Sequence, residues 1–254
     1  MRIAIDTTER ILRLEADGKE RIIPLDTAEA FEVLSTQWLK LGWSLKYSYT
    51  FTWLGRPIIQ LPEDMLRVQE VVYRLKPDVI VETGVAHGGS LVFYASLCRL
   101  MGCGRVIGID IQVHAGNRAA IEAHELFSLI RLIEGSSTAR DIVQRVAAEI
   151  RPGERVLVIL DSCHTKEHVR QELELYHRFV TPGSYIVATD GIMRELCNVP
   201  GGREEWRRDN PHAAAMEFAA AHPDYILEQP TWLFNESKLR QSVTYWPGAW
   251  LRRR

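Results

Sequence analysis

The stretch DVIVETGVAHGGSLVFYASLCRLMGCGRVIGIDI, residues 78–111, decides the fold class. Val79, Ile80 and Val81 form an apolar, β-branched run, the pattern of a strand buried on both faces. Gly84 interrupts it. Gly88, Gly89 and Ser90 then open an apolar helical run that Gly102 closes, and a second strand ends at Asp110. Strand, turn, helix, strand is a βαβ unit, whose crossover is right-handed.

The rhythm continues on both sides. Downstream come the strand SLIRLIEG (128–135), a helix over 138–150, the strand RVLVILD (155–161), a helix over 166–179 and the strand GSYIVATD (183–190). Upstream, a helix beginning at Glu63 and Asp64 places Met65, Val68, Val72 and Leu75 on one face, and Pro77 stops it. Apolar strands alternating with amphipathic helices predict an α/β fold with a doubly wound, mostly parallel sheet. After Asp190 the order loosens through residues 198–211. A helix PHAAAMEFAAAH (211–222), a strand DYILEQ (224–229) and a last strand around SVTYW (242–246) then predict an antiparallel C-terminal edge. The tail from Trp250 to Arg254 reads as solvated, with a contact to acceptor or partner as the other reading.

Residues 1–62 read as an N-terminal extension that contributes an acceptor pocket or oligomer contacts, and residues 63–254 as the cofactor-binding domain. In the extension, Ala30, Phe31, Leu34, Trp38 and Leu41 recur at helical spacing over Thr27–Leu41. In YSYTFTW (47–53), Tyr47, Tyr49, Phe51 and Trp53 alternate with small polar residues as in a half-buried strand. That aromatic row suits core packing, a substrate pocket or a subunit contact.

Composition narrows the class. The 254 residues are 46% hydrophobic and 25% charged with a formal net charge of −2, so no global electrostatic attraction to nucleic acid or an anionic membrane exists. No apolar run is long enough to span a bilayer, and no signal or transit pattern precedes the first strand. The four cysteines Cys98, Cys103, Cys163 and Cys197 lack CxxC spacing and read as free thiols. The expectation is a cytoplasmic enzyme whose partner is a small molecule.

In doubly wound sheets ligands lie beyond the carboxyl ends of the strands, so those ends carry the chemistry. The first end reads Glu82-Thr83-Gly84 followed by Gly88-Gly89-Ser90, which is not the GxGxxG of a dinucleotide site. Glu82 would repel a pyrophosphate but accept from an ammonium, while the free N–H groups of the helix start suit a carboxylate. A ligand offering both is an amino acid, and S-adenosylmethionine has such an end. Asp110, 28 positions after Glu82, stands where a ribose is held, and Gly135, Ser136 and Ser137 border the adenine position. For Ser137 an N-cap role is equally open. A nicotinamide oxidoreductase would require the missing glycine turn.

Asp161 ends the apolar run VLVIL, and Asp190 ends the neighbouring strand. Two carboxylates at adjacent strand ends suit Mg²⁺, which prefers oxygen ligands and lowers the pKa of a bound hydroxyl. His164, three residues beyond Asp161, is placed to take a proton as general base, or to cap a helix.

The ordered motifs WLGRPIIQLPED, VETGVAHGGS, GIDI, IEGSS, LDSCHTKEHV and TPGSYIVATD resemble the cephalosporin hydroxylase and rhamnosyl O-methyltransferase family, closely over roughly residues 50–190. The resemblance implies a Rossmann-like methyltransferase that binds S-adenosylmethionine and Mg²⁺, forms homo-oligomers and methylates a hydroxyl of a sugar or natural product. It carries Glu82, Gly84, Gly88, Ser90, Asp110 and Ser136 over as cofactor contacts, with Thr83, Gly89, Ile111 and Asp161 beside them. Asp161 and Asp190 become metal ligands and His164 the base. Related sequences tend to read Glu-Asp where this one has Thr189-Asp190, and Asp-x-Asp-His where it has Asp161-Ser162-Cys163-His164. A hydroxyl is a poorer ligand than a carboxylate for a hard dication, so these departures also fit a non-catalytic subunit that binds S-adenosylmethionine and serves a partner such as a hydroxylase.

Overall fold

In the computed structural model, which describes residues 1–16 and 18–254, the chain begins with a separate antiparallel sheet. Its strands are β1 (Arg2–Asp6), β2 (Ile11–Ala16) and β3 (Lys19–Pro24). Leu12, Leu14 and Ile23 from this sheet bury with Ala30 of helix α1 (Ala28–Ser44) in a small core of their own. The Thr27 hydroxyl caps α1 by accepting from the Ala30 N–H at 3.2 Å. The expected apolar face of α1 is only partly covered. Ala30, Leu39 and Gly42 are buried, whereas Phe31, Trp38 and Leu41 face outward. The sequence period marks an apolar stripe but not what covers it.

The YSYTFTW strand forms only in its second half. Lys46 turns left-handed at φ 55° where α1 ends, and Tyr47–Thr50 close a tight helical turn in which the Thr50 hydroxyl donates to the Tyr47 carbonyl at 2.7 Å. Alternation is lost in that turn. The strand β4 (Phe51–Trp53) then pairs antiparallel with β5 (Arg56–Ile58), and Trp53 packs edge-on against Phe93 at 4.9 Å.

From residue 62 the chain alternates as expected: α2 (Pro62–Leu75), β6 (Val79–Thr83), α3 (Gly89–Met101), β7 (Arg105–Asp110), α4 (Ala115–Glu122) and β8 (Ile130–Glu134). Then follow α5 (Arg140–Glu149), β9 (Val156–Leu160), α6 (Lys166–Tyr176), β10 (Tyr185–Ala188), α7 (Pro211–Ala221), β11 (Tyr225–Leu227) and β12 (Trp250–Arg253). The seven-stranded sheet runs β11-β12-β10-β9-β6-β7-β8, parallel from β10 to β8, with β12 antiparallel between β10 and β11. This is a doubly wound α/β fold with antiparallel strands at one edge. Strand residues alternate between the faces: Ile80 joins the core under α2 and α3, Val79 and Val81 the core against α5, α6 and α7. Each fully buried aliphatic side chain contributes roughly 1.5–3 kcal/mol, so these two layers carry most of the stability.

Two C-terminal expectations are corrected. SVTYW is not a strand, because the Asp64 carboxylate captures the Thr244 hydroxyl and the Tyr245 N–H and holds the segment as a loop. The tail is not solvated: Trp250–Arg253 is an interior strand, with Leu251 buried and Arg252 paired with Glu228 at 2.8 Å. Its arginines lie on the margin, where their long stems cover the sheet.

Candidate functional site

The strand order reverses between β6 and β9, so their carboxyl ends part and leave a crevice. The register sets Thr83 beside Leu160 and Ile109, and Ala188 beside Leu160. Glu82, Asp110, Asp161 and Asp190 therefore emerge at one edge of the sheet. The Asp161 N–H donates to the Thr83 carbonyl at 2.9 Å, and a side chain on Gly84, whose φ is +90°, would overlap the Asp161 carbonyl. Gly84 thus joins the two strand ends. Gly89 similarly lies against the Pro57 carbonyl of β5, and Gly88 against Ile121 of α4.

Glu82 shares the face of Ile80 and points beneath α3, fully buried, where the Ser90 hydroxyl donates to its Oε2 at 2.6 Å. Among the described residues its Oε1 has no hydrogen bond of good geometry, although the Tyr94 hydroxyl is close enough to lower its pKa. Burial, followed by the nearby Asp161 charge, pushes the Glu82 carboxyl well above the usual range, and the Ser90 bond pulls back. Gln60, also buried, donates to Tyr94 at 3.2 Å and leaves its own Oε1 unpartnered. Thr83 lies on the opposite face from Glu82 and is fully enclosed.

Asp110 folds back onto the first turn. Its Oδ2 accepts from the N–H groups of Val85 and Ala86 at 2.8 and 3.2 Å, and its Oδ1 from Gln112 at 3.1 Å. A cleft of about 250 Å³ opens beside it, lined by Gly84, Asp110, Ile111, Ser136, Ser137, Asp161, Ser162 and His168. Ser137 does not cap α5, whose N-cap is Ala139. Its hydroxyl instead lies 3.2 Å from His168 Nε2, which also approaches Ser162 at 3.1 Å and the buried Glu172 at 3.3 Å. Hydrogen bonding to Glu172 raises the His168 pKa. This network escaped the sequence reading, although His168 and Glu172 stand at the i, i+4 spacing of one helix face.

Beyond Asp161 lies the second half. His164 Nε2 is 3.4 Å from Asp190 Oδ2, and the side chains of Asp161, His164 and Asp190 bring one ligand atom each within 4.8 Å of the others. Burial raises the Asp190 pKa to about 6; His164 lowers it and Asp161 adds to the rise. Thr189 stays outside this cluster: its buried hydroxyl is 2.6 Å from Asp161 Oδ1 and 2.9 Å from the Leu160 carbonyl, and its single proton serves one at a time. A further cleft, of about 130 Å³, reaches Asp190 between Trp43, Lys46, Tyr49, Gln60, Tyr245 and Trp246. Sequence spacing gave no hint of Tyr245 and Trp246, which come from the loop that Asp64 holds.

A family model described as Rhamnosyl O-methyltransferase/CmcI matches residues 45–254. The chain belongs to this family. Rhamnosyl O-methyltransferase of Mycobacterium leprae (strain TN) is 32% identical over 144 residues, 56% of this chain and 60% of that protein. The Mycobacterium tuberculosis (strain ATCC 25618 / H37Rv) protein of the same name is 32% identical over 155 residues, 59% of this chain and 60% of that one. The match thus spans about 60% of the length of these relatives. Among solved structures, "cmcI-D160 Mg-SAM" superposes with a TM-score of 0.54 at 20% identity, covering 81% of this chain and 77% of that one. "CmcI-N160 apo-structure" gives 0.54 at 18% identity, covering 81% and 76%. The fold of this family member is therefore that of the cmcI chains. No helix among the described residues is long and apolar enough to cross a membrane.

Proposed function

We propose that this chain is an S-adenosylmethionine-dependent, Mg²⁺-assisted O-methyltransferase acting on a hydroxyl of a sugar or natural product. The observation that carries the reading is electrostatic. Asp110 and Asp161 line one cleft at the strand ends, Asp190 lines a second cleft, Glu82 lies buried near Asp161 and Asp110, and among the described residues none of the four forms an ion pair with lysine or arginine. Uncompensated carboxylates in a partly dry crevice demand cationic ligands. A sulfonium cofactor with an ammonium terminus and a divalent metal meet that demand, and a dinucleotide does not.

The residues present fit both groups. Glu82, with a buried oxygen that has no well-formed hydrogen bond among the described residues, suits the ammonium; Ser90 supports Glu82; Asp110 borders the ribose, and Ile111 and Ser136 the adenine. Asp161 and Asp190 supply oxygen ligands of the kind Mg²⁺ prefers. When bound, the cofactor supplies an electrophilic methyl group and the metal lowers the pKa of the acceptor hydroxyl. His164, beside Asp190, receives the acceptor proton. Trp43, Tyr245 and Trp246 wall the acceptor, exclude water and offer aromatic faces to a sugar ring. The position of His164 among the carboxylates favours a second reading, in which it is a third metal ligand. Loss of Mg²⁺ affinity in His164→Ala marks the ligand, whereas a loss of kcat with intact Mg²⁺ affinity marks the base.

The relatives named rhamnosyl O-methyltransferase support the sugar assignment. The outward apolar residues Phe31, Trp38 and Leu41 support a homo-oligomer, with the first 62 residues divided between that contact and the acceptor wall. The deciding experiment is calorimetric titration of S-adenosylmethionine with Mg²⁺ and with EDTA, NAD serving as control. Binding with a Mg²⁺-dependent affinity is expected. No binding in either buffer overturns the proposal; binding without methyl transfer to any glycosidic hydroxyl supports the non-catalytic partner subunit.

A further inference from the structure

Among the described residues, a second group of potential metal ligands stands apart from the strand-end crevice: Glu174, His177 and His222. The three come from two parts of the chain. Glu174 lies on α6, His177 in the turn that follows it, and His222 at the C-cap of α7. His168, at the crevice end of α6, is nine residues before His177, about 14 Å away along a helix.

Each side chain offers one ligand atom within 4.8 Å of the other two, and His222 Nε2 already stands 3.5 Å from Glu174 Oε2. The tautomer of His222 is fixed for ligation: its Nδ1 lies 3.0 Å from the Phe218 carbonyl, which can only accept, so Nδ1 carries the proton and Nε2 presents a lone pair. Both rings are gripped. Phe218 stacks on His222 at 3.9 Å and meets His177 edge-on at 5.5 Å, while the Tyr225 hydroxyl donates to the His177 carbonyl at 2.6 Å. A pair of half-buried imidazoles side by side has no packing advantage over apolar residues.

We propose that Glu174, His177 and His222 form a zinc site of the two-histidine, one-carboxylate type, with a water in the fourth position. Imidazole and carboxylate together suit Zn²⁺, in contrast to the oxygen-rich pair Asp161 and Asp190. Bound there, the ion fastens α7 to α6. The start of α7 in turn buttresses the segment after Asp190, since Gly191 leaves room only for His212 and the Pro247 carbonyl. The site is therefore a staple that stiffens the scaffold behind the acceptor cleft without touching it.

The test is Zn²⁺ titration of the metal-stripped full chain by calorimetry, with Tm followed in parallel, for the wild type and for Asp190→Asn, Glu174→Gln and His222→Gln. Glu174 is exposed, so its variant folds and isolates ligation from packing. The expected result is one micromolar or tighter equivalent that survives Asp190→Asn, disappears in Glu174→Gln and His222→Gln, and raises Tm by several degrees wherever it is present. Cobalt substitution of that equivalent should give the intense visible absorption of a four-coordinate ion. Glu174→Gln should leave Mg²⁺ affinity unchanged. If both cluster variants titrate like the wild type, or if only millimolar binding is found, an adventitious ion only, the proposal is overturned.

Discussion

The two halves of the crevice are built on opposite terms. On the side of β6 and β7, the turn is tied to the protein: Asp110 accepts three backbone N–H groups, Gly84 abuts Asp161, and Gly89 abuts Pro57. On the side of β9 and β10, Asp161 faces Thr189 and Asp190 faces His164 and Trp246, and burial raises the Asp190 pKa to about 6. The first half is a cradle completed by folding, whereas the second is left charged and completed by what binds. Stability and function should therefore separate along the line between β6 and β9.

Gly84→Ala breaks the comparison most severely. Its φ of +90° and the Asp161 carbonyl leave no room for a methyl group, so ~3 kcal/mol or more of stability should be lost. Gly102→Ala, at φ +69° with nothing nearby, is the control, and only about 1 kcal/mol is expected there. Urea midpoints at constant m-value decide; equal losses would mean that handedness alone matters at Gly84. In the second half the order inverts. Asp161→Asn and Asp190→Asn should lower kcat/KM by roughly 10²–10³-fold, the usual scale for removing a group that stabilises the transition state. Their Tm should hold or rise, because a buried like-charge pair is relieved. A fall of several degrees in both would sink the separation. Glu82→Gln lies between: an amide of the same shape should spare Tm, while the Kd for S-adenosylmethionine rises about 10-fold, or roughly 1.4 kcal/mol.

Much of the first half was legible in sequence because it is local. The apolar run at Val79–Val81, the glycines after it and the acidic residue ending β7 belong to one βαβ unit, and parallel pairing follows from its chirality. Glu82, Asp110, Asp161, His164 and Asp190 were found because each ends or closely follows a strand. What stayed hidden depends on contacts distant in sequence. Asp64 binds Thr244 and Tyr245 some 180 positions away, turning an apparent strand into a loop, and the Arg-rich tail becomes an interior strand because Glu228 and the Val180 carbonyl receive its arginines. The Thr189 departure reads differently in three dimensions. The hydroxyl is buried against Asp161 and the Leu160 carbonyl.

The contact between Asp64 and the loop offers the smallest and sharpest test. Burial lifts the Asp64 pKa to about 7, the bonds from Thr244 and Tyr245 pull it down, and Asp190 and Glu63 push it up. The folded pKa lies above the unfolded value of about 3.9, so the native state holds the proton more tightly. Asp64 therefore stabilises the fold least when ionised: its contribution falls as pH rises from about 4 to about 7, by at most ~1.4 kcal/mol per unit, and is level above that. An asparagine at this position would keep one donor and one acceptor for Thr244 and Tyr245 but would not titrate. The stability of Asp64→Asn relative to wild type, from urea midpoints at pH 5, 6, 7 and 8, should climb to pH 7 and then stay flat. A flat difference throughout would mean that Asp64 is already ionised at pH 5 and that a charge secures the loop. Tyr245 and Trp246 wall the cleft at Asp190, so the same variant should shift the acceptor KM more than kcat, which places this loop with the half of the crevice that binding completes.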